Sequence, residues 1–176
     1  MRHVPIIKSQ DGVVLITGLI FLLVLTMIGI STMGNSALTE RMTQNFRDTS
    51  NAFVAAEAAL ADGESWLRTQ VTPTTNVTTC STPPCKIWAY NASTNFVQLA
   101  DSWWQTQGVP FSSSLYGVAS QPVYVMEEYS FVPYELSPDA ISKGRGYYYY
   151  RVTARGTGAT STSRAFIQSM YATQYN

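Results

Sequence analysis

Between Val13 and Met33 lie 21 consecutive residues without a single Asp, Glu, Lys, Arg or His. A run of that length and character spans the hydrocarbon core of a bilayer as one helix. It excludes a simple water-soluble globule and predicts a single-anchor protein with its working part on one side of a membrane. The helical pattern does not stop at the membrane surface. Leu38, Met42, Phe46, Phe53, Ala56, Leu60 and Leu67 follow at helical spacing on one face. Pro73 ends the pattern, because proline disfavours helix at the residue before it. A helix from Val13 to about Gln70 is roughly 87 Å long at 1.5 Å per residue. Its first half is apolar all round and its second half is amphipathic. The second half is therefore expected to carry a globular partner.

About 105 residues follow the helix, enough for one small domain. Thr72 to Pro84 reads as loop. Phe96 to Trp104 fits either a short strand or a helical turn. Gly108 to Ser120 reads as loop. Three β-rich runs then follow: Pro122 to Pro133, Tyr147 to Arg155 and Arg164 to Thr173, with Gly156 to Ser163 as a hairpin connection. Tyr148, Tyr150, Val152 and Ala154 share one strand face, and such a sheet can bury that face on the helix and wet the other. The fold class is α+β, a long N-terminal helix packed on a C-terminal antiparallel sheet. The domain plan is a leader over 1–12, a membrane helix over 13–34, its amphipathic continuation over 35–70 and a β-rich domain over 71–176.

Charge and composition narrow the function. Lys plus Arg equals Asp plus Glu at 11 each, so nothing favours nucleic acid. Charged residues are 12% of the chain, about half the usual share, which suits an extracytoplasmic, assembly-prone surface. Arg2 and Lys8 before the apolar run favour a cytoplasmic N-terminus. The cysteines are Cys80 and Cys85, and an even count in an exported chain favours a disulfide. A metal pair would need further ligands, and the histidine of this chain is His3, in the leader. Without a histidine beyond the leader, a Ser-His or Cys-His nucleophile is excluded in the domain. Glu127 and Glu128 alternate across a strand and do not form a carboxylate pair on one face. No cofactor, metal or enzymatic activity is expected. Glu57 reads as a filament contact or a solvated carboxylate. Glu40, Arg41, Arg47 and Asp48 read as surface charges. Tyr147 to Tyr150 and Trp103-Trp104 read as packing residues or as an adhesive patch.

A short basic leader ending in Gly12, then QDGVVLITGLIFLLVLTMIGIS, LTERMTQNFRD and AFVAAEAALADGESWL, resembles the N-terminal region of PilX-type minor pilins. The closing YRVTARGTGATSTSRAFIQSMY resembles the final hairpin of that family. Together these stretches cover about half the chain. The resemblance implies a minor pilin of the type IV pilus, cleaved between Gly12 and Val13 by prepilin peptidase and methylated on its new N-terminus. It implies an assembly helix with Val13, Thr17, Gly18 and Gly29 at its contact positions. The small residues there let helices approach closely. The partners it implies are the inner membrane, other minor pilins, the major pilin and the pilus assembly machinery. The chain would be single-pass, its C-terminal domain periplasmic before assembly and extracellular afterwards. Roles in adhesion and twitching motility would follow.

The chain departs from the major-pilin pattern in two places. Phe is usual at the first mature position and Glu at the fifth, and here these are Val13 and Thr17. In pilins the fifth-position glutamate is thought to neutralise a neighbour's terminal ammonium in the apolar filament core. The K-type minor pseudopilin of type II secretion has a similar gap and sits at a tip. A tip position is therefore expected here. The alternatives are a tip adhesin, a type II secretion pseudopilin and an anchored periplasmic protein that is never assembled.

Overall fold

The computed structural model describes residues 11–90, 92 and 95–175. The first ten leader residues lie outside them. The chain divides into two compact units, Met1–Gln44 and Asn45–Asn176. Helix α1 is Asp11–Thr69 and contributes to both. Its end is closed by its own side chains: Thr69 Oγ1 and Gln70 Nε2 donate to the Trp66 carbonyl, and the Gln70 amide to that of Leu67. These bonds satisfy carbonyls that a helix end leaves without partners.

In the second unit the order is β1 (Ile87–Ala89), a 3-10 turn (Phe96–Gln98), α2 (Asp101–Gln107), β2 (Val109–Pro110), β3 (Val123–Pro133), α3 (Pro138–Ser142), β4 (Gly146–Thr157) and β5 (Arg164–Gln174). The Phe96–Trp104 stretch is thus helical rather than extended, started by the Asn95 side chain accepting from the Val97 amide. The three β-rich runs are the three long strands. β3–β4 and β4–β5 are antiparallel, as the alternation predicts. The sheet as a whole is mixed, because β1 pairs with β3 in parallel. Its order is β1-β3-β4-β5, with the two-residue β2 also on β3.

One face of the sheet packs on α1. Tyr124, Met126, Tyr150, Val152 and Ala154 form a core with Ala59 and Leu67, and Ile167 and Tyr171 pack at its margin. The face of α1 that does this differs from the expected one. Ala52, Ala55, Ala56, Ala59 and Leu67 are buried, whereas Leu38, Met42, Phe46 and Phe53 are exposed, Phe46 by 75%. The buried stripe is rotated by about 80° from the large apolar residues, at 100° per residue. Ala56 and Leu67 lie where the two stripes overlap.

Close approach explains the choice. A Cβ at Gly63 would stand 2.9 Å from Tyr124 Cδ2, and one at Gly156 on β4 would overlap the Ala52 carbonyl and the Ala56 amide. A strand lying this near a helix backbone leaves no room for Leu or Phe. The small residues at this contact are therefore the packing signal, and the size of a hydrophobic side chain is not.

The opposite sheet face is not wet. Val123 and Val125 bury against Trp88, Phe96 and Trp104, with Trp103, Phe166 and both cysteines around them. Trp104 is fully buried and donates its indole N–H to the Phe96 carbonyl at 3.1 Å. Cys80 and Cys85 are joined in a disulfide beside this second core.

Candidate assembly surface

The assembly residues expected from the sequence lie on α1 in the first unit. Among the described residues α1 is the one helix long and apolar enough to cross a membrane, and its most apolar window is unburied. Val13, Leu15, Leu19, Leu22 and Ile30 are all more than half exposed. Gly18 and Gly29 have open space where a side chain would stand. The Thr17 hydroxyl turns back on its own helix, 3.0 Å from the Val13 carbonyl and 3.0 Å from that of Val14. Thr17 thus offers no charge, and its hydroxyl proton is used within the helix.

On the second unit α1 keeps Phe46, Phe53 and Val54 exposed beyond the alanine stripe, and Glu57 is exposed with them. A groove of about 170 Å³ beside them is lined by Asn51, Val54, Ala55, Leu115, Tyr116 and Val118. Tyr116 is 96% exposed.

Asp48 is more than a surface charge. Its carboxylate accepts from the Ala159 amide and from the Thr160 hydroxyl across the β4–β5 turn. Hydrogen bonds from Ser163 first and then from Thr160 hold its pKa below the usual carboxylate value. A lowered pKa adds stability above the unfolded value, and this is lost as pH falls through the folded value. The stability difference between the wild type and Asp48→Asn is therefore expected to be constant from about pH 7 down to about pH 5. It should shrink below about pH 4, as thermal melts across that range will report. The Gly156–Ser163 run reads in sequence only as a turn. Nothing local signals that a carboxylate more than 100 positions earlier closes it.

Two further ion clusters were not legible in the sequence. Glu127 is fully buried, and Arg151, directly opposite on β4, reaches its Oε2 with Nε at 2.7 Å and with Nη2 at 2.6 Å. Burial raises the Glu127 pKa, and Arg151 opposes that rise. The Arg151 guanidinium also lies 5.6 Å from the Tyr129 ring, which stands at the β-bulge between Glu128 and Ser130. Glu128 faces the other way and accepts from the Asn76 amide at 2.9 Å, so the two carboxylates are separated as expected. Asp101 at the start of α2 binds both Arg155 and Arg164, at 3.1 and 2.7 Å, tying α2 to β4 and β5. These groups bind elements together.

The aromatic run is likewise divided. Tyr150 is buried in the core, whereas Tyr147 is half exposed and edge-on to Tyr134. Trp103 packs against Trp88 and Phe96.

The first unit carries an exposed apolar helix and the second a helix-backed sheet. Residues 64–173 match the type IV pilus assembly protein PilX C-terminal family, and residues 11–61 match PilX N-terminal. The chain belongs to the PilX family. Neither the curated proteins nor the solved structures hold a match to it. PilX membership makes this a type IV pilus-related protein, of a family that serves as a structural pilus component. Its N-terminal apolar helix fits a single-pass membrane anchor.

Proposed function

We infer that this PilX-family chain is a minor pilin that takes part in priming and assembly of type IV pili, seated at or near the filament tip. Thr17 carries the reading. After cleavage between Gly12 and Val13 the new terminus is an ammonium, and within a filament it is surrounded by apolar helices. A buried charge needs a partner. A chain with Thr17 at the fifth position has no carboxylate to offer a neighbour's terminus, and its hydroxyl is already bonded to Val13 and Val14. It is therefore a poor neighbour in the shaft. It is a good one at an end, where no further subunit presents an ammonium above it.

The apolar half of α1 rests first in the inner membrane, with the N-terminus cytoplasmic and the globular unit periplasmic. It then exchanges lipid for the helices of other minor pilins and the major pilin. Gly18 and Gly29 allow close approach in that exchange. Prepilin peptidase and the pilus assembly machinery act on it along this path.

Gold labelling of an epitope-tagged chain on sheared pili tests the position. Label at one end of filaments is expected, and label spaced along the shaft contradicts the tip reading.

A further inference from the structure

The two edges of the sheet are built differently. On the β1 side the edge strand has only three residues, β2 only two, and Val77 covers β1 with an isolated bridge to Trp88. Both bonds of that bridge are made: the Val77 amide to the Ile87 carbonyl at 3.1 Å, and the Ala89 amide to the Val77 carbonyl at 2.8 Å. Pro110 ends β2. Short strands, proline and a covering segment are the usual means of blunting an edge.

On the other side, among the described residues, β5 is neither short nor interrupted by proline nor bridged by a covering segment. It is 11 residues long and pairs with β4 over its whole length without a register shift. Ala165–Gln174 contains no Lys, Arg, Asp, Glu or Pro. Among the described residues, no backbone hydrogen bond links Ala165–Thr173 to any segment other than β4. The outward amides and carbonyls of Ala165–Thr173 thus form a regular template for another strand.

We propose that the free edge of β5 is a docking site for an extended, largely uncharged β-strand from a different protein chain, added antiparallel to the sheet. The proposal deepens the assembly reading above and rests on it. Main-chain hydrogen bonds supply the attachment, and side chains at alternate positions supply the selectivity. The donor needs no charge along Ala165–Gln174, which offers none to pair. It needs apolar residues on the helix side, where Ile167 and Tyr171 are only half-buried at the margin of the core. On the opposite side Met170, 52% exposed, lies open to it. A donor of about five or six residues matches the usual strand length.

A second copy of this chain fits poorly. Two identical β5 strands running antiparallel are related by a dyad normal to the sheet. That dyad reverses the Ala52–Leu67 segment of α1 that packs on the sheet. In such a pair the chains enter their globular units from opposite ends, although the assembly reading anchors both N-terminally in one bilayer. Pairing two copies in parallel gives the slightly weaker ladder.

Amide hydrogen exchange on the tagged full-length chain tests this directly. The chain is extracted in mild detergent from cells carrying all the pilus genes and from cells carrying this gene alone. Alternate amides of Ala165–Thr173 are expected to exchange rapidly in the lone chain. They should slow by about 100-fold when other pilus subunits co-purify, as for a partner present at about 100 times its Kd. Co-purification with those amides still fast overturns the edge proposal and leaves the assembly reading standing. No co-purifying subunit overturns both. Protection already present in the lone chain, at the mass of a dimer, assigns the edge to a second copy and overturns the proposal.

Discussion

Gly156→Val is expected to unfold the globular unit under conditions where the wild type is stable. The position lies inside β4, against the backbone of α1, and a single added Cβ already overlaps the Ala52 carbonyl and the Ala56 amide. Main chain cannot turn aside as a side chain does, so β4 would have to lift from the helix. Lifting it opens the contact of Val152 and Ala154 with Ala59 and Leu67. Burial of a Val or Leu side chain is worth about 1.5–3 kcal/mol. The loss should exceed about 4 kcal/mol, against a total stability of about 5–15 kcal/mol for an ordinary domain. Thermal melts followed by circular dichroism should show a midpoint more than about 10 °C lower, or no transition at all. A midpoint within about 2 °C of the wild type contradicts the account of helix–sheet packing.

Arg151→Met has the second largest expected effect, and it depends on pH. The substitution leaves Glu127 buried without its counter-ion. Glu127 Oε1 already lacks a partner, so no other group takes over. Breaking a buried pair from one side costs about 3–5 kcal/mol. The Glu127 pKa is raised by burial even with Arg151 in place, and losing the arginine removes the influence that lowers it. A raised carboxyl pKa means that the protonated form suits the folded state. Its stability is fully present below the unfolded value of about 4.3 and is lost as pH rises through the folded value.

The defect of Arg151→Met should therefore be largest at about pH 8 and shrink toward about pH 5. The double variant Arg151→Met with Glu127→Leu should recover most of the loss at about pH 8, because both charges are then gone. Urea titrations at the two pH values decide it. A defect that is the same at both, or a double variant no better than the single, contradicts the pairing.

How far the sequence foretold this molecule depends on how local each cause is. The anchor helix, its end before Pro73 and the three long strands are written in runs of neighbouring residues, and they stand where expected. The buried face of α1 was not legible, because it is set by β4 coming close at Gly156, more than 85 positions away. Size of apolar residue pointed to Phe46 and Phe53, whereas the strand's approach selected Ala52, Ala56 and Gly63. The parallel β1 was missed for a similar reason. A three-residue strand carries too little pattern, and its partner Met126–Glu128 lies about 40 residues on.

Val13, Thr17, Gly18 and Gly29 are proposed for assembly from the resemblance, and on α1 Val13 is exposed and the two glycines face open space. The Asp48 clamp and the Glu127–Arg151 pair join residues far apart in sequence, and each is ordinary in its own neighbourhood. Only the topology brings them together.

The central claim is that this PilX-family chain enters the pilin pathway despite Val13 and Thr17. The mass and N-terminal residue of the membrane-extracted protein, from cells with and without prepilin peptidase, test it most directly. The account predicts a chain beginning at Val13 when the peptidase is present and one retaining residues 1–12 when it is absent. A chain that keeps residues 1–12 in both cells contradicts it and describes a signal-anchored protein outside the pilus.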